Sequence, residues 1–246
     1  MTFWDHLDEL RNAIIRCLLV IVVFSCLFFV FKEETFRCIL APTQSDFITY
    51  KWFEDNLFQS FDVQLINTEL ASQFLVHLKV AFSLGILLAS PYILYEILRF
   101  ILPALYQNER KYVLQITLPA YLLFFLGIIL AYGLIFPFTF RFLATYQVAD
   151  SVPNLISLQS YISTLIMLSF CMGVVFLLPI ICFLLGKMGL LSRDMMTIYR
   201  RHAIVAILVI AAIITPTADV FTLLLVSLPI YILYEISILL VPIKKY

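Results

Sequence analysis

Two carboxylates in this sequence could do recognition chemistry. Glu9 lies in His6-Leu-Asp-Glu-Leu-Arg11, and Glu109 lies in Tyr106-Gln-Asn-Glu-Arg-Lys111. Each stands at the polar margin of a long hydrophobic run, where a charge meets a low-dielectric boundary. Two such groups could accept paired hydrogen bonds from guanidinium groups, which arginine fits better than lysine. Composition alone favours a blander reading, in which each glutamate pairs with a neighbouring arginine or faces water. Glu96 and Glu235 lie deeper, a turn or two inside hydrophobic runs. An intramembrane acid is a functional candidate by default, and here a structural hydrogen bond to a neighbouring helix is an equal reading. Asp219 follows a Pro-containing turn and could cap the last helix. Phe100, taken alone, is apolar packing at an elbow.

Other chemistries lack their residues. There is no His-Glu-x-x-His, no Gly-x-Ser-x-Gly and no phosphate loop. His6, His77 and His202 fall on separate elements, so a metal site from them is not expected. Cys17, Cys26, Cys171 and Cys182 lie in or beside hydrophobic runs, Cys38 lies in a loop, and no Cys-x-x-Cys occurs. They read as apolar filler. No nucleophile–base pair stands out, so neither an enzyme nor a cofactor is expected.

The elements that hold these carboxylates are membrane helices. Of 246 residues, 63% are hydrophobic and 13% charged, with a mean hydropathy of +1.03. Soluble domains are about half apolar and a quarter charged. The composition is that of an integral membrane protein. The formal net charge of +0 gives no reason to expect a nucleic-acid partner.

Hydropathy predicts six helices, over residues 12–31, 74–102, 112–143, 158–186, 202–215 and 220–241, as a single polytopic domain. Before them, Met1 to Arg11 reads as a short amphipathic helix with Phe3, Trp4, Leu7 and Leu10 on one face, suited to the bilayer surface. It lacks the basic start and cleavage site of a signal peptide. Residues 32–71 form the longest polar segment, and their aromatics (Phe47, Tyr50, Trp52, Phe53, Phe58, Phe61) suggest an external cap lying on the bilayer. Pro91 and Pro103 bracket the first elbow. Six spans put both termini on one side. Arg11, Arg16, Arg99, Arg110, Lys111, Lys187, Arg193, Arg200, Arg201, Lys244 and Lys245 all fall on that side, so both termini are expected in the cytoplasm. Lys79, near the start of the second helix, can snorkel outward. The fifth helix is short, about 21 Å for 14 residues, and predicts a thinned bilayer beside helices 5 and 6. Tyr-Ile-Leu-Tyr-Glu-Ile occurs at 92–97 and again at 231–236. Nothing around the copies repeats, so they read as similar local demands and not as an inverted repeat.

An ordered set of motifs then carries a resemblance. His6-Leu-x-Glu-Leu-Arg11, Ser90-Pro-x-x-x-Tyr-Glu96, Phe100-x-x-Pro-Ala-Leu105, Glu109-Arg110, Phe136-Pro137, Gly189-x-x-Ser192, Thr215-Pro-x-x-Asp219, Leu228-Pro229 and Leu233-Tyr-Glu-Ile236 follow one another along essentially the whole chain. In this the sequence resembles the TatC family, the multispanning receptors of the twin-arginine protein translocase. The resemblance implies a curved, glove-like all-α membrane fold of six transmembrane helices. It implies residence in the bacterial cytoplasmic (inner) membrane and export of folded proteins driven by the proton-motive force. It implies recognition of Arg-Arg signal peptides at the cytoplasmic face. The matching positions are Glu9, Arg11, Phe100 and Glu109, with Leu10, Pro103, Leu105, Arg110, Glu96, Asp219 and Glu235 as further candidates. The implied partners are single-span TatA/TatB-type subunits docking on helices 5 and 6, further copies of the chain, and membrane lipid. The resemblance turns the reading of Glu9 and Glu109 from structural to functional. One position departs from the family. A polar residue, commonly Glu, often precedes the proline of helix 4, and here Leu177 stands there. Partner docking is then expected to lean on apolar packing or another polar residue. Two other classes compete with a receptor. One is an ion-coupled transporter using Glu96, Glu235 and Asp219, against which stand the missing inverted repeat and the missing ring of acids. The other is a non-catalytic membrane scaffold.

Overall fold

In a computed structural model of the chain, residues 3–44, 46–52, 63–101, 110–147, 154–215 and 219–241 are described. They are mostly helical: α1 Phe3–Val30, α2 Lys32–Leu40, α3 Ile48–Trp52, α4 Ser72–Ile101, α5 Arg110–Leu130, α6 Phe136–Thr145, α7 Leu158–Val175, α8 Leu178–Lys187, α9 Arg193–Ile198, α10 Arg200–Ile214 and α11 Val220–Leu240. Two short strands, β1 Leu65–Ile66 and β2 Ile156–Ser157, pair in parallel. Five stretches are long and apolar enough to cross a membrane: Leu7–Val30, Ser72–Phe100, Ile116–Thr145, Leu158–Lys187 and Val220–Leu240. The remaining predicted span, the fifth in chain order, is α10, whose 15 residues reach only about 22 Å.

Several boundaries differ from the hydropathy reading, each for a local reason. The amphipathic start and the first hydrophobic run form one continuous helix, α1, because no proline, glycine or cap interrupts 3–30. The segment after it, read as a cap, carries regular structure in its described part. It holds α2, a 3₁₀ turn at Ala41–Thr43, α3 and β1. The third hydrophobic run changes winding at a π turn, Ala131–Ile135, immediately before Phe136 and Pro137. The fourth breaks at Phe176-Leu177, and Pro179 falls in the first turn of α8. A proline there costs no hydrogen bond that the helix start would have made.

At two prolines a neighbouring hydroxyl takes over the missing bond. Pro91 lies within α4 and cannot donate to the carbonyl four residues back, that of Leu87. Ser90 Oγ donates to that carbonyl at 2.7 Å. Pro137 likewise leaves the Gly133 carbonyl without its usual donor, and Thr49 Oγ1 of α3 supplies one. A buried carbonyl without a partner is expensive, most of all at membrane depth.

Two compact units divide the chain, one comprising Met1–Ala41 and Asn67–Leu122, the other Pro42–Ile66 and Leu123–Tyr246. In the first, α1 and α4 run antiparallel. Arg16 meets Glu96, a Cβ on Gly85 would lie 2.2 Å from Ser25 Oγ, and Phe29 stacks on His77 with ring centres 4.2 Å apart. Only a residue without a side chain fits at 85. The buried stripe of α4 includes Val76, Val80, Ala81 and Ala89.

In the second unit, Tyr161 of α7 lies buried and nearly perpendicular to the rings of Phe136 and Phe140, with ring centres 5.0 and 4.9 Å away. Close approach between α5 and α7 rests on Gly127 and Gly173, where added Cβ atoms would meet Met172 O at 2.7 Å and the Phe124 ring at 2.8 Å. The buried Tyr50 hydroxyl lies within hydrogen-bond distance of the carbonyls of Pro42 and Pro137, and Arg141 sits 5.4 Å over its ring. Burial pushes the Tyr50 phenol up, so it remains a hydrogen-bond donor at physiological pH. Asn154 donates to the carbonyls of Ala144 and Tyr146 and so closes the end of α6. Met196 of α9 packs with Ile238 and Val241, and Tyr234 Oη donates to Met196 O at 2.8 Å.

Candidate functional site

The N-terminal carboxylate site is built on α1 and α4 of the first unit. Both are long because their apolar residues run on for the length of a membrane span, where the backbone must satisfy its own hydrogen bonds. Glu9 and Arg11 lie in the second and third turns of α1 and are exposed. Arg11 Nη2 lies 3.3 Å from Asp8 Oδ1, with both side chains largely exposed. Such a surface i,i+3 pair holds Arg11 weakly and exchanges readily. Leu10 is half-buried on the side of α1 that also carries Ala13 and Cys17. Phe100, half-buried, is in the last turn of α4.

The antiparallel register brings these ends to one level. From the Arg16–Glu96 contact, five residues back along α1 reach Arg11, about 7.5 Å away, and four residues on along α4 reach Phe100, about 6 Å away. Pro103, Leu105 and Glu109 lie outside the described residues. Arg110 opens α5.

The deeper acids are both engaged by arginines of other helices. Glu96 is buried and takes a forked contact from Arg16: Nε to Oε1 at 3.1 Å and Nη2 to Oε2 at 3.0 Å. Tyr92 Oη donates to Oε1 at 2.9 Å. In the second unit, Arg200 at the start of α10 reaches Glu235 Oε2 at 2.8 Å, and Tyr231 Oη donates to Oε1 at 3.1 Å. The two copies of Tyr-Ile-Leu-Tyr-Glu-Ile therefore build the same cluster: a tyrosine, a glutamate one turn on, and an arginine from a neighbouring helix.

Sequence reasoning overlooked Arg16 as a partner by counting it with the flanking charges. It lies within the first apolar stretch, and that position was the available signal, because a charge inside a span needs a partner. Arg200 lies just before the predicted helix 202–215 and is the first residue of α10.

Asp219 is the N-cap of α11, accepting from Thr222 N at 2.7 Å. Leu177 immediately precedes α8, half-buried, with an αR backbone. Among the described residues, no group of three or more His, Cys, Asp or Glu could hold a metal ion.

Comparison with known proteins agrees with these motifs. The model of the family described as Sec-independent protein translocase protein (TatC) matches residues 5–229. A Sec-independent protein translocase protein TatC of a Blattabacterium from Periplaneta americana is 34% identical, covering 97% of this chain and 94% of the relative. Its counterpart from Escherichia coli K12 is 32% identical over 95% of this chain and 85% of its own. A crystal structure described as the twin arginine translocase receptor TatC superposes with a TM-score of 0.77 at 32% identity, covering 96% of this chain and 97% of its own. A second, in the detergent DDM, gives 0.80 at 31% identity, covering 97% and 100%.

Proposed function

The chain belongs to the TatC family of Sec-independent protein translocase proteins, and from that premise we propose that it is the subunit that recognises Arg-Arg signal peptides of folded cargo. As a family member it is a multi-pass bacterial membrane protein and a translocase component, not an enzyme. The proposal adds the site and its setting. Both termini face the cytoplasm of a bacterium, six helices cross the inner membrane, and the proton-motive force drives export. Glu9 and Glu109 each accept a guanidinium of the peptide. Arg11 orders the Glu9 turn, and Phe100 offers an apolar contact beside the arginine pair. Leu10, Pro103, Leu105 and Arg110 shape the same surface. The single-span partners pack on α10 and α11, with further copies of the chain in the complex. With Leu177 apolar, that docking leans on shape and apolar contact.

One observation carries the reading. A family match across residues 5–229 includes the Glu9–Arg11 motif, and the α1–α4 register brings that motif to the level of Phe100. The chemistry is sound because an exposed carboxylate at an apolar margin gains more from a forked guanidinium than from water or an ammonium.

The test is binding of a fluorescent Arg-Arg signal peptide to the purified protein in detergent. Glu9→Ala and Glu109→Ala are each expected to weaken binding by roughly tenfold to a hundredfold, and a Lys-Lys peptide to bind comparably poorly. Equal binding by all of them would make the carboxylates structural and favour a scaffold. For the partners, Leu177→Glu is expected to leave co-purification unchanged or reduce it. A marked strengthening would argue against apolar docking.

A further inference from the structure

We infer that Arg16, Glu96 and Tyr92 form a positioning device for the proposed peptide site, fixing the turn of α1 that carries Glu9 and Arg11 against the last turn of α4. This rests on the reading of Glu9 and Phe100 given above. In this role Glu96 and Arg16 act through the two helices that carry the proposed peptide surface.

Three observations support it. First, the contact is directional. A guanidinium fork on a carboxylate, with Nε–Oε1 at 3.1 Å and Nη2–Oε2 at 3.0 Å, fixes both the distance and the orientation of its partners. Apolar packing between two smooth helices leaves sliding and rotation comparatively soft. The Tyr92 hydroxyl, 2.9 Å from Oε1, pins the carboxylate from its own helix. Second, the contact is placed to set the helix face. Glu9 and Arg16 are seven residues apart on α1, so their side chains leave the helix within about 20° of one another. Glu96 and Phe100 are one turn apart on α4 and likewise share a face. Holding Arg16 to Glu96 therefore sets the direction in which Glu9 leaves α1 relative to Phe100. Third, Ser25 meets Gly85 on the same seam, nine residues along α1 from Arg16, or about 13 Å. It lies on the far side of the cluster from Glu9. The Arg16–Glu96 fork therefore sits between that contact and the turns that carry Glu9 and Arg11. Glu96 is 5% exposed at its side chain and Arg16 46%. The acid is therefore committed to this contact, while the arginine reaches it from the edge of the seam.

Peptide affinity and backbone amide exchange test this on the full-length protein in detergent. The variants are Arg16→Ala, Glu96→Gln, Arg16→Glu, Glu96→Arg and the exchanged pair Arg16→Glu with Glu96→Arg. Each is measured well below its own unfolding temperature. The expected result is at least a tenfold loss of Arg-Arg peptide affinity in the single variants and faster exchange at 9–13 and 97–101. In the exchanged pair, affinity recovers to within about threefold and exchange slows. Single variants that bind within twofold of the native chain, with unchanged exchange, overturn the inference. So does an exchanged pair whose unfolding temperature recovers while affinity stays lost, because the pair then only stabilises the fold. If the native chain itself binds no Arg-Arg peptide, the receptor reading fails, and the positioning inference built on it falls with it. If the native chain binds and the Arg16 and Glu96 variants bind as it does, the inference alone falls.

Discussion

The six-residue sequence Tyr-Ile-Leu-Tyr-Glu-Ile builds a cluster on α4 and another on α11, and the two differ in what surrounds them. Within each copy the tyrosine donates to the glutamate four residues on, as side chains one turn apart on a helix must be able to do. The arginine comes from elsewhere in both. On α4 it is Arg16, inside an apolar span, with a two-point fork on a side chain that is 5% exposed. On α11 it is Arg200, at the first position of a short helix, with one contact to a side chain that is 31% exposed. Identical local sequence fixes the local hydrogen bond. It does not fix whether the acid is buried or who neutralises it. A buried acid without its arginine is costly, whereas a half-exposed one can turn to water or headgroups.

The largest expected effect comes from forcing the α1–α4 seam apart. Gly85→Leu places a side chain where even a Cβ would lie 2.2 Å from Ser25 Oγ and 2.8 Å from Ser25 N. The loss expected is about 3 kcal/mol, read as a lower unfolding temperature in detergent. Because the same seam carries the buried cluster, Glu96→Ala added to Gly85→Leu should cost less than the two changes measured separately. Full additivity would mean that the cluster does not depend on the seam.

A smaller effect separates the two acids. Glu96→Ala should lower the unfolding temperature more than Glu235→Ala. The first leaves Arg16 within a span, and the second leaves Arg200 at a helix start. Equal shifts would show that burial does not distinguish the clusters. Next is the cap of α11. Asp219→Ala removes the acceptor of Thr222 N and should cost about 1 kcal/mol, with Asp219→Asn recovering most of it. The smallest effect tests what the copies share. Tyr92→Phe and Tyr231→Phe each delete a hydroxyl bonded within its own helix, and each should lower the unfolding temperature by no more than about 2 °C. A large loss for Tyr92 alone would show that the buried cluster depends on its tyrosine as much as on its arginine.

Much of the fold was legible along the chain, and the errors have local causes. Hydropathy found the five long apolar stretches because a span needs about 20 apolar residues in sequence. It split α1 in two because the amphipathic start changes composition at Arg11, while helix continuity depends on backbone bonds that no residue there interrupts. It passed over the π turn before Pro137 because winding responds to a missing donor, and that donor is supplied by Thr49, far away in sequence. The proposed site was legible only in part. Glu9, Arg11 and Phe100 stand out through the motifs that carry the family resemblance. Arg16 has no motif around it, and its role depends on which residue of α4 it faces.

The sequence by itself determined that the chain is an apolar helical membrane protein of the TatC family, where its long helices run, and that each Tyr-x-x-x-Glu pair closes within one turn. These follow from composition and from periodicities of a few residues. Tertiary structure alone decided that Glu96 belongs to Arg16 and Glu235 to Arg200. It also decided that Gly85 must be small for Ser25 and that Thr49 completes the backbone before Pro137. Each of these joins residues distant in the chain. Their partnership depends on the register and rotation of packed helices, and no local pattern encodes that register.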